Sequence, residues 1–279
     1  MGTLYIVGTP IGNLEDLTRR AVRVLGQVGL IAAEDTRVTR KLLNHLDIHV
    51  PVTSYHQHNW PAKLPALLEA LARGDVALVT DAGMPGISDP GSELVAEASA
   101  RGFPVEVAPG VSAVTTALAV SGLPGDAFLF LGFLPRRRQD RRPQLEAVAP
   151  LPQTLVIFEA PHRVGATLQD LLDTLGDRRV SVCRELTKLH EEVFRGTLSQ
   201  AIRHFDSPRG EFVLVVAGAD AASGEAGAAA TDPEEVQRQL EELRQSGVKA
   251  REAVALVAAS SGWPKNRVYQ LWLQAASRQ

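Results

Sequence analysis

Apolar positions over the first two hundred residues fall into two alternating textures. Short runs at Leu4–Val7, Leu30–Ala33, Val76–Thr80 and Val105–Val107 have the length and side-chain type of strands. Between them, apolar residues recur at helical spacing near Leu17–Val28, Thr36–Leu46, Ala62–Arg73, Glu93–Arg101 and Ser112–Ser121. After Gly125 the pattern restarts. Strands are predicted at Phe128–Phe130, Thr154–Phe158, Arg179–Cys183, Val193–Arg195 and Phe212–Val216, and helices near Val164–Leu175 and Leu198–Phe205. Strands separated by helix-length segments need crossover connections, so the chain predicts α/β architecture with largely parallel sheets. Two such blocks predict two α/β domains, residues 1–124 and 125–219.

Ala217–Thr231 is almost entirely Ala, Gly, Ser and Asp, too poor in large apolar groups to pack, and residues 220–231 are predicted to be a flexible linker. Asp232-Pro233-Glu234 then has the form of an N-cap, a first-turn Pro and an acidic start. Residues 232–279 are expected to form a small helical domain, with helices near Pro233–Gln245, Ala250–Ser260 and Pro264–Ala276. Its size predicts that it leans on the body or on a partner.

Composition narrows the picture. The chain has 279 residues, 45% apolar and 22% charged, as in soluble globular proteins. Net charge is −3, which does not advertise nucleic acid. The total conceals a bias, because 24 of 29 basic residues are Arg and five crowd into Arg136–Arg142. Such a run is commonly a solvated surface. It also suits phosphate, whose oxygens match the guanidinium fork. A single cysteine, Cys183, excludes an internal disulfide framework and a Cys-based zinc site. The start lacks the shape of a secretion signal, and Val107–Gly125 is too broken by Pro and Gly to cross a membrane. The expected address is the cytoplasm.

In α/β sheets, ligands sit where loops leave the carboxyl ends of strands. Gly8-Thr9-Pro10-Ile11-Gly12-Asn13 follows the first strand but is neither a Walker A loop nor a dinucleotide fingerprint, and alone it reads equally as a turn. Glu34-Asp35-Thr36-Arg37 ends the second. These residues suit acid–base or ribose-binding work, or Asp35 and Thr36 simply cap the next helix. The loop from Asp81 to Gly91, with three glycines, two prolines and bracketing Asp81 and Asp89, is ordered enough by composition to face a ligand. Pro109-Gly110-Val111-Ser112-Ala113 repeats that logic at the start of a helix. In the second block, Glu159–Arg163 and Arg184–Lys188 follow strands. His162 has no partner at ligand spacing, so no metal site is expected.

Taken in order with Gly132-Phe133-Leu134-Pro135 and Gly210-Glu211-Phe212, these motifs resemble those of the bacterial small-subunit ribosomal RNA cytidine 2′-O-methyltransferases, a branch of the tetrapyrrole methylase superfamily. The similarity runs from Leu4 to about Val216, and Lys249–Leu273 resembles that branch's small helical domain. The resemblance implies two α/β domains that bind S-adenosylmethionine in the cleft between them, in a homodimer acting on small-subunit RNA, within the assembled small subunit. Pro10, Asp81, Gly83, Ile87, Ser112 and Ala113 would then line the cofactor from the first domain, with Phe158, Glu159, Leu186 and Phe212 closing over it from the second. Where the superfamily commonly has Gly-x-Gly-Pro-Gly, this chain has Gly-Thr-Pro-Ile-Gly, which argues against a porphyrin acceptor.

A sulfonium donor needs neither a metal nor a covalent nucleophile from the protein. A ribose hydroxyl does need a base, which contributes about 100- to 10,000-fold. Glu34, Asp35, Glu159 and Lys188 are the candidates, and Arg136, Arg137, Arg138, Arg141 and Arg142 are expected to hold RNA phosphates. A tetrapyrrole C-methyltransferase and a non-enzymatic RNA-binding protein remain the alternatives.

Overall fold

A computed structural model describes residues 1–206, 208–219, 233–246, 248, 250–261, 268–269 and 271–272. The first block alternates β1 (Leu4–Val7), α1 (Arg19–Gln27), β2 (Leu30–Ala33), α2 (Thr36–His45), β3 (Val52–Ser54), α3 (Trp60–Arg73), β4 (Val76–Val79), α4 (Ser92–Ala100), β5 (Val105–Ala108) and α5 (Ala113–Ser121). Its five strands lie in the order β3-β2-β4-β1-β5, all parallel. Ala77 and Val79 of β4 meet α1 and α2 on one face, while Val76 and Leu78 meet α3 and α4 on the other. A strand covered on both faces has no polar side, which is why Val76–Val79 reads as an unbroken apolar run. The pattern did not predict β3, a three-residue edge strand of half-buried side chains.

The second block contains β6 (Phe128–Phe133), α6 (Arg138–Val148), β7 (Thr154–Glu159), α7 (Val164–Leu175), β8 (Arg179–Arg184), β9 (Glu192–Thr197), α8 (Leu198–His204) and β10 (Phe212–Val216). Two α/β domains are present as expected, but the second sheet is not largely parallel. Its order is β6-β7-β10-β8-β9, and only β6 and β7 run parallel. Loop 185–191 joins β8 to β9 without a crossover helix, so that pair must be antiparallel.

Strand β10 joins the two blocks. Phe212, Leu214 and Val216 face the core under α6, α7 and α8, whereas Val213 and Val215 face α5, the last helix of the first block. Val114, Ala117 and Leu118 of α5 pack there with Val156 and Cys183. Arg195 on β9 adds a hydrogen bond from Nε to the Val120 carbonyl at 3.0 Å. The first block thus supplies the cover for one face of the second sheet, and the cleft forms beside that joint.

Helix α6 corrects the reading of the arginine run. Arg141 is buried, with its guanidinium on the Asp170 carboxylate of α7 and on the Pro135 carbonyl at 3.1 Å. A side chain so enclosed cannot reach an RNA phosphate. Arg138 pairs with Asp170 and Asp173 at 2.8 and 2.7 Å, and Arg142 pairs with Glu146 at 2.9 Å. The run begins a helix and fastens it to its neighbour.

The tail contributes α9 (Pro233–Gln245) and α10 (Ala250–Ser261), whose Val236, Leu240, Val254 and Val257 cluster with Val268. The predicted linker at 220–231 and most of the third predicted helix lie outside the described residues. Among the described residues, no helix is long and apolar enough to cross a membrane.

Breaking a buried ion pair leaves an uncompensated charge and costs about 3–5 kcal/mol. Asp170→Ala is therefore expected to lower stability by that order in denaturant unfolding, while exposed Arg142→Gln stays within about 0.5 kcal/mol. Equal midpoints for the two variants would show that the Arg141 pair contributes nothing to the fold.

Candidate active site

Three strand ends of the first sheet are tied into one wall. Thr9 and Gly83 exchange backbone hydrogen bonds, N–H to carbonyl, at 2.9 and 3.1 Å, and the Thr9 hydroxyl donates to the Thr80 carbonyl at 3.1 Å. Gly8 lies backbone against backbone on Gly110, where a Cβ would come within 2.7 Å of Gly110 Cα. Any side chain at position 8 would push the β5 loop away, so this glycine is required by the approach itself. The contact brings Ser112 and Ala113, at the start of α5, beside Gly83 and Ile87.

The facing wall comes from the second sheet. Phe158 is held edge-to-face between Phe130 and Phe133, with ring centroids 4.9 and 5.6 Å away. Arg163 donates to the Leu134 carbonyl at 2.6 Å and lies 3.1 Å from the Glu159 carboxylate, fixing the loop that carries Phe133. The Glu185 carboxylate accepts from Lys188 Nζ and from the Glu211 N–H, both at 2.9 Å. Gly210, at φ +87°, leaves the space that Glu185 fills, since a Cβ there would fall 2.5 Å from Glu185 Cγ. The Arg184–Lys188 and Gly210–Phe212 motifs are therefore one packed unit.

Between the walls is a cavity of about 350 Å³. Of the ten residues expected to line a cofactor, Gly83, Ile87, Ser112, Ala113, Phe158, Glu159, Leu186 and Phe212 border it. Pro10 and Asp81 do not; they border a second hollow of about 340 Å³, which shares Ile11, Ala82 and Glu211 with the first. Met84, Asp89, Phe133 and Cys183 also line the cavity. Asp89 and Phe133 stood inside motifs already visible in the sequence, but nothing there showed which way they face. Burial pushes the Cys183 thiol up to about 11.

The candidate bases separate on electrostatics. Asp35 caps α2 by accepting from the Arg37 N–H at 2.8 Å, and its carboxylate grips the Arg37 guanidinium. Those hydrogen bonds hold it down at about 2, a poor proton acceptor. Partial burial lowers Lys188, but hydrogen bonds to Glu211 and Glu185 outweigh it and raise the ammonium above its ordinary value, so this side chain stays a cation. The buried Glu159 carboxylate accepts from Thr167 Oγ1 at 2.6 Å and from the Ala160 N–H at 2.8 Å, besides its ion pair, and so serves the wall. Glu34 accepts from the Thr80 hydroxyl at 2.6 Å. Burial, then the charges of Glu34 and Asp35, raise Asp81 against the hydrogen bond it accepts from the Asp35 N–H. Asp89 moves furthest. Burial first, then Glu34 and Asp81, push it up to about 6 against the pull of the Thr80 hydroxyl.

Residues 3–202 match the family model Tetrapyrrole (Corrin/Porphyrin) Methylases, and residues 230–276 match the RsmI C-terminal HTH domain. The chain belongs to the tetrapyrrole methylase family. It is 47% identical to Ribosomal RNA small subunit methyltransferase I of Halalkalibacterium halodurans, over 98% of this chain and 95% of that one. The protein of the same description from Synechocystis is 45% identical, over 98% of each chain. Uroporphyrin-III-C-methyltransferase from Thermus thermophilus shares the fold, with a TM-score of 0.55 and 24% identity over 78% of this chain and 95% of that one. This member of the family is a methyltransferase that uses S-adenosylmethionine. The cavity fits such a donor: its volume lies within the range of small-ligand sites, and aromatic faces beside the Asp89 carboxylate suit a cationic sulfonium.

Asp89 gives this site a pH signature. Below pH 4 its carboxyl is protonated in both folded and unfolded chains. Between about 4 and 6 the unfolded chain releases the proton first, so its contribution to stability is lost as pH rises and stays lost above 6. The full shift corresponds to at most about 3 kcal/mol, and solvent beside the half-buried group reduces that to ~1–2 kcal/mol. Asp89→Asn is expected to stabilise the protein by this amount at pH 7.5 and to flatten its profile between pH 4 and 6. Thermal unfolding across that range checks it, and coincident wild-type and variant profiles would contradict it.

Proposed function

We propose that the protein methylates the ribose 2′-hydroxyl of a cytidine in small-subunit ribosomal RNA, within the assembled small subunit, as a cytoplasmic homodimer. Its two α/β domains divide at 124/125, and α9 and α10 belong to a separate C-terminal domain. The observation that carries the chemistry is the place of Asp89, a carboxylate in the wall of the donor cavity, and its burial, which raises it to about 6, suits it to accept a proton near neutral pH.

S-adenosylmethionine supplies an electrophilic methyl and its own leaving group. The protein aligns the ribose oxygen with that carbon and takes the hydroxyl proton. With the donor bound, the Asp89 carboxylate would take the hydroxyl proton as the ribose oxygen receives the methyl. The loop from Asp81 to Gly91 and the start of α5 hold the donor from one side, and Phe158, Leu186 and Phe212 hold it from the other. Glu34 positions Thr80, and through it Asp89. Exposed Arg136 and Arg137 contact RNA phosphates outside the cleft, and Arg138 and Arg142 do so with whatever reach their acidic partners leave them.

Labelled methyl transfer to assembled small subunits, free RNA and a uroporphyrinogen tests the acceptor. Label is expected in the subunit RNA, and a digest should place it on the cytidine ribose. Label on a base or on the tetrapyrrole would overturn the assignment, and a chain that binds RNA but no donor would be a binding protein instead. Changing Arg136, Arg137 and Arg142 together to Gln should make the logarithmic salt dependence of RNA binding shallower by about 2, at roughly 0.7 per single-strand phosphate. Calorimetric affinity for the donor should not change, and a parental salt slope would remove these side chains from the interface.

A further inference from the structure

The second hollow adjoins the donor cavity. Ile11, Ala82 and Glu211 line both, and Asp81 and Thr80 line the second alone. Helix α2 supplies the outer wall, presenting Val38, Lys41 and Leu42 at i, i+3 and i+4, on one face. Leu14 and Val38 are large apolar side chains left 47% and 41% exposed here. Singly exposed apolar groups need no explanation, but two on the rim of one hollow offer a platform for a flat apolar face.

The charges beside this hollow differ from those on α6. All three α6 arginines, Arg138, Arg141 and Arg142, are held by carboxylates of the same chain. Lys188 is likewise clamped by Glu185 and Glu211. Lys41 lines the hollow and Arg40 precedes it on α2; both are exposed, and among the described residues neither has an acidic partner. Two uncommitted cations, an apolar rim and the Asp81 carboxylate in the wall are together what a single unstacked nucleotide requires: phosphate contacts, a surface for the base and a partner for the ribose.

We infer that this second hollow receives the acceptor nucleotide, with its base against Leu14 and Val38, its ribose beside Asp81 at the Ile11–Ala82 boundary so that the 2′-hydroxyl faces the donor cavity and Asp89, and its flanking phosphates on Arg40 and Lys41. The assignment rests on the RNA-methylating function proposed above and adds where the nucleotide sits. Only a base that has left its stack can enter, so the target cytidine is extruded or lies in a single-stranded stretch.

Two full-length variants test this on assembled small subunits. Arg40→Gln with Lys41→Gln should raise KM for the subunits at least tenfold with little change in kcat, and reduce the salt slope of subunit binding by about 1.4, two phosphates at roughly 0.7 each. Val38→Trp should fill the hollow and lower transfer at least tenfold. Circular dichroism should show both folded, and calorimetry should find donor affinity within twofold of wild type. Parental KM, salt slope and transfer in both variants, beside an active wild type, would overturn this inference alone. Loss of donor binding in Val38→Trp would overturn it too, by making the two hollows one donor site. A wild type inert on small-subunit RNA would overturn the functional reading and this inference with it.

Discussion

The pair of backbone hydrogen bonds between Thr9 and Gly83, braced by Gly8 lying directly on Gly110, is the constraint on which the cleft depends. It converts three separate loops at the ends of β1, β4 and β5 into a single surface. Loops are ordinarily the mobile parts of an α/β sheet. Here the backbone groups that would otherwise seek water are satisfied by each other, so the ligand-facing edge has the order of a small sheet. The Asp81–Gly91 segment can then hold charged side chains partly buried and near one another, so that Asp81 and Asp89 are raised first by burial and then by the charge of Glu34.

The second constraint is α5. It begins at the donor cavity with Ser112 and Ala113, and its buried face covers the second sheet through Val114, Ala117 and Leu118. The same helix is thus a cofactor wall at one end and the inter-domain joint along its length. A rigid joint favours alignment, and alignment is the larger part of what a methyl transfer between two bound partners asks of a protein, up to roughly 7–11 kcal/mol.

Much of this was legible from residue pattern. Nine of the ten strands among the described residues were predicted, because a four- to six-residue β-branched run needs no tertiary context to be recognised. Strand β3 escaped because three half-buried residues carry no periodicity. Direction in the second sheet escaped because spacing shows that strands alternate with other segments, but not which way each returns. The cofactor loops were visible as glycine- and proline-rich strand ends, and eight of the ten expected side chains border one cavity. Arg141 shows the opposite case. In a row of five arginines no local feature marks the one that turns inward, since its partner Asp170 lies on the next helix. The ranking of the carboxylates was equally hidden: Asp35 and Asp89 have the same side chain, and only the Arg37 guanidinium beside one and burial beside the other drive them to about 2 and about 6.

Cys183 places a sulfur in the wall of a cavity built for an electrophilic carbon. The thiolate is the reactive form, and a thiol at about 11 is ionised in roughly one molecule in a thousand at pH 8. An exposed, ionised cysteine at this position would compete with the acceptor and alkylate the catalyst permanently. The apolar packing of Ala117, Val156 and Val213 around the sulfur therefore does more than fill space. It keeps the sulfur beside the donor site in its protonated, weakly nucleophilic form.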